Sequence, residues 1–445
     1  MERRPRIALI SEHASPLALV GGEDAGGQNV YVDALSRALG RLGHTVDLFT
    51  RRDNVAAPAA IAHAPGVRVV NLDAGIPRQT PRDELWPYMP AFRDAFLAFV
   101  ARDGARYDAI HANFWMSGWT GIEAGRRLRL PVVQLFHALG ATKRRHQGDA
   151  DTSPSDRIAV ERRIVGVADR LIAQCPSERA ELIADYGADP DRIALIPGAV
   201  DTALFHPAAR EAARRAIGQG LAVGDFVVTY VGRLLPRKDV CNIVRAMALL
   251  TAQTDRPVKL LVVGGSSPEP DPIATPEIGA IQQLAAELGI ADRVLCVGRR
   301  PVATLRDYYG AGDVAVTTPW YEPYGLTPLE AMACGRPVVG AQVGGIAFTV
   351  LDGETGFLVP PRDPAALAAR LRCLLDRPAL CDELGAAGRR RVEREFTWAL
   401  TAERTVEVIA GCADARPGAG RAGRERPVPA RSRYLGESAP PMIDR

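Results

Sequence analysis

Four stretches of the sequence carry side chains whose types and spacing suit the handling of a phosphate ester and a polyol. In the first, Gly232 ends an apolar run, and Arg233 and Lys238 follow in the pattern G-R-x-x-x-x-K. Glycine lets the backbone turn sharply after a strand, and cations beside the next helix start add to a dipole that already favours anions. Lysine occurs only at 143, 238 and 259. A lysine kept at this place points to a compact charge with its own task, so phosphate binding is favoured over a solvated basic loop. In the second stretch, Glu322 and Glu330 flank Tyr324, Gly325, Leu326 and Thr327. Thr327, Pro328 and Glu330 spell a capping box, which would let Glu330 close its own helix start. That role leaves Glu322 unexplained. Amides at Leu326 and Thr327 would face an anion, and a carboxylate on either side could accept hydrogen bonds from sugar hydroxyls.

The third stretch is glycine-rich, Gly21-Gly22-Glu23-Asp24-Ala25-Gly26-Gly27-Gln28-Asn29, ahead of the first helical pattern. Such a loop permits close backbone approach to a phosphate or sugar. The fourth is a set of histidines, His13, His111 and His137, at the ends of strands in one half of the chain. Other chemistries lack their signatures. The near match to a dinucleotide fingerprint at Gly310 precedes a strand where it would have to follow one, and no G-K-[ST] is present. No H-x-x-x-H or carboxylate cluster suggests a metal, so neither metal nor cofactor is expected.

These stretches sit between short β-branched runs that alternate with helical patterns, the signature of parallel α/β sheets. Strands are predicted at 6–10, 46–49, 67–70, 109–111, 132–136, 171–173 and 193–196, and again at 226–231, 259–263, 294–297, 314–317 and 337–340. Helices are predicted from about residue 28 and at 177–186. The interval 197–225 lacks strand character and reads as a hinge. The expected architecture is two doubly wound domains, 1–200 and 201–395, with a helix at 396–411 folding back on the first and a disordered basic tail at 412–445. In open sheets of this kind ligands sit at the carboxyl ends of strands, where the unusual residues fall.

Composition agrees with that reading. Of 445 residues, 47% are hydrophobic and 24% charged, enough for two buried cores and unlike a disordered or coiled-coil chain. The net charge of +3 matches the excess of arginine over acid in the tail, leaving a nearly neutral body without the basic footprint of a nucleic-acid protein. Seven scattered cysteines, none in C-x-x-C, predict a reducing, cytoplasmic setting. The opening residues lead into a short apolar run, not the longer one of a secretory signal. No stretch has the length and apolarity of a membrane span, which is compatible with peripheral association. Oligomeric state leaves no trace in the sequence.

Together, Glu322 to Glu330, Gly232 to Lys238, the glycine loop and C-G-x-P-V-V (Cys334 to Val339) resemble the family 4 retaining glycosyltransferases of the GT-B fold. They occur in the family's order, and the resemblance spans about residues 6–410. It implies a nucleotide-diphosphate sugar bound between the domains. Arg233 and Lys238 would hold the diphosphate, Glu330 the ribose, and Glu322 the donor sugar, aided by Gly27 and the loop Tyr324-Gly325-Leu326-Thr327. His137 would polarise the sugar, and the first domain would present a hydroxyl acceptor: a sugar, a sugar phosphate or a polyol phosphate. The amino-terminal motifs are similar to those of D-inositol-3-phosphate glycosyltransferases and sucrose-phosphate synthases. By that similarity, His13, Asn29, His111 and Arg157 would line the acceptor side, and Arg82 would stand where the inositol-phosphate enzymes have a phosphate-binding lysine. Phe114 and Ala138 replace a tyrosine and a threonine of the inositol-phosphate enzymes. A site built around such hydroxyls discriminates steeply, so a different acceptor is expected. The alternative on the same frame is a nucleotide-sugar epimerase or hydrolase, which would release nucleotide without an acceptor.

Overall fold

A computed structural model describes residues 4–17 and 26–414. The loop residues Gly21 to Ala25 and the tail beyond 414 lie outside the described residues. The first sheet has eight strands: β1 (Arg6–Ile10), β2 (Thr45–Arg51), β3 (Ala60–Ala64), β4 (Val67–Leu72), β5 (Ala109–Asn113), β6 (Val132–Leu135), β7 (Arg170–Ala173) and β8 (Ile193–Leu195). Their order is β3-β4-β2-β1-β5-β6-β7-β8, all parallel except the edge strand β3. The second sheet has β9 (Phe226–Val231), β10 (Val258–Val263), β11 (Val294–Cys296), β12 (Val314–Thr317), β13 (Val338–Ala341) and β14 (Gly356–Val359), in the order β11-β10-β9-β12-β13-β14 and fully parallel.

Strand order reverses between β1 and β5 in the first sheet and between β9 and β12 in the second. At such a switch point the flanking connections leave to opposite faces and open a crevice beyond the strand ends. All four chemistry-bearing stretches belong to these places. The glycine loop follows β1, Phe114 follows β5 with His137 one strand over after β6, Gly232 to Lys238 follows β9, and Glu322 to Thr327 follows β12.

Each sheet is covered on both faces. Phe49, Phe92, Phe96 and Trp115 fill one side of the first sheet, and Tyr31, Leu35 and Leu48 fill the other. Two elements were not anticipated. β3 is alanine-rich and lacks the β-branched pattern of a strand, and β14 is a short run opening on glycine whose place is set by pairing with β13. The interval read as a hinge contains a helix, Arg210–Ile217, anchored by Arg214, which donates to Asp313 at 3.0 Å.

The long carboxyl-terminal helix Trp398–Asp414 returns to the first domain. Trp398, Ala402 and Ile409 join Tyr31 and Leu39 in one apolar cluster. The crossing itself is pinned by backbone: Val200 N–H donates to Phe396 at 3.1 Å, and buried Thr401 Oγ1 donates to the Pro197 carbonyl at 3.0 Å. Replacing Thr401 by valine keeps the shape and leaves that carbonyl short of a partner. Thr401→Val is expected to lower stability by about 1 kcal/mol while leaving turnover unchanged, a contrast read by denaturant titration beside an activity assay.

Candidate functional site

The second-domain wall is built on a buried ion cluster. Lys238 Nζ donates to Glu322 Oε2, and Arg237 Nη1 reaches the same oxygen at 3.1 Å while also donating to the Tyr321 carbonyl at 2.9 Å. The Trp320 N–H returns a bond to the Arg237 carbonyl at 3.1 Å, so the loops after β9 and β12 are laced together. Burial alone would push the Glu322 carboxyl upward, but the two cations reverse it and hold it at about 2. The same burial lowers Lys238 from the ordinary lysine range, against the pull of Glu322. Behind the loop, Gly344 is indispensable for space: a Cβ there would stand 1.8 Å from the Glu322 carbonyl oxygen, and its φ is +45°.

Arg233 and Glu330 lie on the same wall. Tyr230 Oη fixes the loop by donating to the Arg233 carbonyl at 2.9 Å. Glu330 does not close its helix. Thr327–Ala333 starts after Leu326 without a side-chain cap, and Glu330 Oε2 instead accepts from Tyr309 Oη at 2.7 Å, its carboxyl raised by burial. The expected capping box is therefore absent, because Thr327 is already the first helical residue. The carboxylate is left for a partner outside its own turn.

On the first-domain wall, His137 follows β6 with a φ of +61° and Phe114 follows β5 with a φ of +82°. Neither is glycine, so both hold conformations that cost free energy and persist only where the surroundings impose them. His137 Nε2 lies 3.0 Å from Asn113 Oδ1, an acceptor, which makes Nε2 the protonated nitrogen. Burial, with His111 and His13 nearby, brings the His137 pKa down to about 3, so the ring is neutral at pH 7. His111 is fully buried inside β5 with Nδ1 3.3 Å from the Val133 carbonyl, and burial lowers it to about 4. It has no surface to offer a ligand. Asn29 is likewise buried. Its Oδ1 accepts from Gly26 N–H at 2.9 Å and its Nδ2 donates to the Ser15 carbonyl at 2.9 Å, so it closes the first helix and ties down the preceding loop.

Cations paired with carboxylates surround Phe114, Arg82 being held by Asp83 at 3.0 Å. The guanidiniums of Arg157 and Arg82 lie 5.0 and 5.8 Å from its ring centroid, and His13 meets it edge-on at 4.9 Å. Arg157 is held by Glu161 at 2.8 Å and by the Ala138 carbonyl at 2.6 Å. Lys143 sits nearby, 2.9 Å from Asp151 and bonded to Ser153 Oγ at 2.9 Å. Asp151 is thus a counter-ion.

The two walls meet. A Cβ on Gly26 would stand 3.9 Å from the Arg233 guanidinium carbon, and one on Gly27 would stand 3.8 Å from Leu326 Cδ1. Tyr321 stacks on His146 with ring centroids 4.8 Å apart, and Tyr324 Oη donates across the hinge to the Gly198 carbonyl at 2.7 Å. The structure therefore brings Gly27 to Leu326 and Gly26 to Arg233 between the domains, Lys238 and Gly325 to Glu322, and His13 and Arg157 to Phe114, with His137 close to His13. Tyr324 is buried against Gly198, Glu330 bonds Tyr309, Thr327 opens its helix, and His111 and Asn29 are buried in the first domain. Sequence reasoning did not single out Arg237, although its place beside Lys238 was a signal, nor Tyr309, for which there was none.

Two facing Rossmann-like domains with cations, carboxylates and strained loops at both switch points define a GT-B transferase. Residues 25–204 match the family profile described as Glycosyltransferase Family 4, and residues 215–391 match Glycosyl transferases group 1. The chain is 39% identical to D-inositol 3-phosphate glycosyltransferase 2 of Catenulispora acidiphila, across 92% of this chain and 95% of that one. Identity to the D-inositol 3-phosphate glycosyltransferase of Kineococcus radiotolerans is 40%, covering 91% and 94%. A sucrose-phosphate synthase structure from Thermosynechococcus elongatus superposes with a TM-score of 0.82 at 37% identity, covering 93% of this chain and all of that one. Anabaena HepE, solved with UDP and glucose, shares the fold at 20% identity, with a TM-score of 0.69 and coverage of 92% and 100%. The chain belongs to the family 4 glycosyltransferases and is a glycosyltransferase. Among the described residues no helix is long and apolar enough to cross a membrane.

The Glu322 carboxyl supplies a test of the ion cluster. Its folded pKa lies below the ordinary value of about 4.3, so its contribution is present above that pH and is lost as pH falls toward 2. Between pH 5 and 2 the melting temperature of the wild-type protein is expected to fall more steeply than that of Glu322→Gln. Parallel curves would mean that the carboxylate is not held by its cations.

Proposed function

We propose that this enzyme transfers a hexosyl group, with retention of anomeric configuration and without a metal or cofactor, from a nucleotide-diphosphate sugar to a hydroxyl of a sugar phosphate or polyol phosphate. The observation that carries the reading is the Lys238–Glu322–Arg237 cluster, with Arg233 at the mouth of the same cleft. Two cations sharing one carboxylate leave a positive charge where the leaving diphosphate gathers negative charge. Fixed cations aimed at a developing charge are worth several kcal/mol in a water-poor site. In this reading Arg233 and Lys238 take the diphosphate, Glu330 takes the ribose, and Glu322 with the Gly325–Thr327 turn takes the sugar.

Neutral His137, with its Nε2 proton held by Asn113, orients and polarises the sugar from the first domain. The polar group nearest the sugar side is Glu322, already engaged by Lys238 and Arg237, so it makes a poor nucleophile. Attack by the acceptor hydroxyl on the face the diphosphate leaves fits that arrangement better than a glycosyl-enzyme. Arg82 and Arg157 over Phe114, with Lys143 joined to Arg157 through Ser153, are held by Asp83, Glu161 and Asp151 and offer N–H donors to an acceptor bearing a phosphate, and the relatives named for inositol phosphate and sucrose phosphate accord with it. Without the tyrosine and threonine hydroxyls at 114 and 138, that acceptor is expected to differ from inositol phosphate. Seven free thiols suit a reducing cytoplasm. Nothing in the comparisons supports an epimerase or hydrolase.

Lys238→Ala and Glu322→Ala are each expected to lower turnover by about 10²–10³ with an unchanged fold by circular dichroism, and product NMR should show the donor's anomeric configuration. Chelator should leave turnover unchanged. Normal turnover in Glu322→Ala, or nucleotide release that ignores the acceptor, would overturn the assignment.

A further inference from the structure

The two oxygens of Glu330 stand in different settings. Oε2 accepts from the Tyr309 hydroxyl at 2.7 Å, while Oε1 meets no protein donor among the described residues, on a side chain that keeps part of its surface exposed. Tyr309 itself is 2% exposed. It reaches Glu330 from the helix Val302–Ala311, which leads into β12, and its ring meets Phe205 edge-on at 6.1 Å. Next to it Gly310 is packed so closely that a Cβ there would stand 3.1 Å from Ala213 Cβ. The phenol therefore has little freedom to follow the carboxylate if that group turns.

The pair lies beside the ion cluster. Tyr230, whose hydroxyl donates to the Arg233 carbonyl, feels the charges of Glu322, Arg237 and Arg233, and Tyr309 in turn feels Tyr230. Burial pushes the Glu330 carboxyl up, and the Tyr309 hydroxyl opposes it. The other titratable groups nearby are Cys334, just past the end of the Glu330 helix, and Tyr230 behind Tyr309. Burial raises the Cys334 thiol to about 12 and holds both phenols above their ordinary range, so the carboxyl is the first of the set to titrate. Arg306, Arg336 and Arg389 bear on Cys334, but Arg306 is paired with Asp307, and Arg336 and Arg389 donate to the Gly310 and Ala333 carbonyls.

We propose that Tyr309 is a positioning residue for donor binding: its hydroxyl occupies one oxygen of Glu330 and keeps the carboxylate in its accepting form, leaving Oε1 for the hydroxyls of a ribose. The inference rests on the donor-site reading above, in which Glu330 takes the ribose, and adds how that carboxylate is held ready. Each carboxylate oxygen carries two lone pairs, so a single oxygen can serve a vicinal diol. A protonated carboxyl gives up part of that capacity to its own hydrogen.

Calorimetry on the full chain tests it. UDP, GDP and ADP are titrated first, and the best-bound is then compared with its 2′-deoxy and 3′-deoxy forms from pH 5.5 to 8.5. The diphosphate titrates as well, so the readout is the affinity ratio of ribonucleotide to deoxynucleotide in one protein at one pH. Wild type is expected to bind a deoxy form about tenfold more weakly throughout. In Tyr309→Phe that ratio should fall to about twofold at pH 5.5 and return to within about twofold of wild type at pH 8.5. The sign follows from the lost hydroxyl, which raises the Glu330 carboxyl further, so that its charge returns only as pH rises. Glu330→Gln, uncharged at every pH, should keep the low ratio throughout. A Tyr309→Phe loss that is the same for both nucleotides, or the same at every pH, would mean a packing effect and overturn the proposal, as would a ratio matching wild type throughout. If wild type does not distinguish the deoxy forms, if Glu330→Gln distinguishes them as wild type does, or if no diphosphate binds, the donor-site reading falls with it.

Discussion

The contact on which the rest of this structure depends is the ion cluster joining Lys238 and Arg237 to Glu322. Breaking a buried pair by removing one partner strands a charge in a poorly solvated place, commonly at a cost of about 3–5 kcal/mol. The loops after β9 and β12 are therefore not independent of one another. Through Arg237 the cluster also holds the Tyr321 carbonyl, and through Trp320 it receives a backbone bond in return. Tyr321 then stacks on His146, and the Pro323 carbonyl accepts from the Cys175 thiol at 3.4 Å. A local electrostatic arrangement in one domain thus sets how the other domain is met.

Much of this was legible before any coordinates. Alternating β-branched and helical segments fix a parallel α/β fold because both faces of each sheet must be buried, and the strand positions follow within a residue or two. The candidate site was legible for a related reason. Glycine after a strand, a scarce lysine and a glutamate with no capping task are each odd choices for a surface loop, and a fold with switch points collects such loops. What escaped reading depended on tertiary partners. β3 has no propensity to announce it and exists by pairing with β4. Thr327 and Glu330 obey a local rule that the true helix start overrides, because Tyr309, far away in sequence, competes for the carboxylate. His111 and Asn29 carry suitable side chains yet point into the protein, and periodicity at strand ends does not distinguish those orientations.

Backbone strain adds information that side-chain type cannot. Among the described residues, five that are not glycine have a positive φ. Phe114, His137 and Asp239 among them follow β5, β6 and the Lys238 segment, and Arg362 lies over Trp320 with 4.0 Å between guanidinium and ring centroid. Strain of this kind is maintained by the packing beneath it. Here it turns the chain at the strand ends, so that His137 faces Asn113 and Tyr31 while staying uncharged. On the proposed roles, a neutral imidazole with its Nε2 proton held by Asn113 has Nδ1 left to accept from a sugar hydroxyl, and it adds no further positive charge beside Lys238 and Arg237.

One carboxylate lies between two cations for a reason that follows from their closeness. Without Glu322 the charges on Lys238 and Arg237 would repel at close range and splay the loops. With it they are held near their working positions, and little reorganisation is needed when an anion arrives. On the proposed roles, a diphosphate drawing Lys238 toward itself would weaken the hold on Glu322 and release that carboxylate to accept from sugar hydroxyls. Binding of the leaving group and binding of the sugar would then be coupled through one shared ion pair. A nucleotide without its sugar would leave the carboxylate unsatisfied, and a sugar without its diphosphate would have to compete with Lys238 for it. Selectivity for the intact donor would follow from that competition alone, without a contact reserved for the bond that is to be broken.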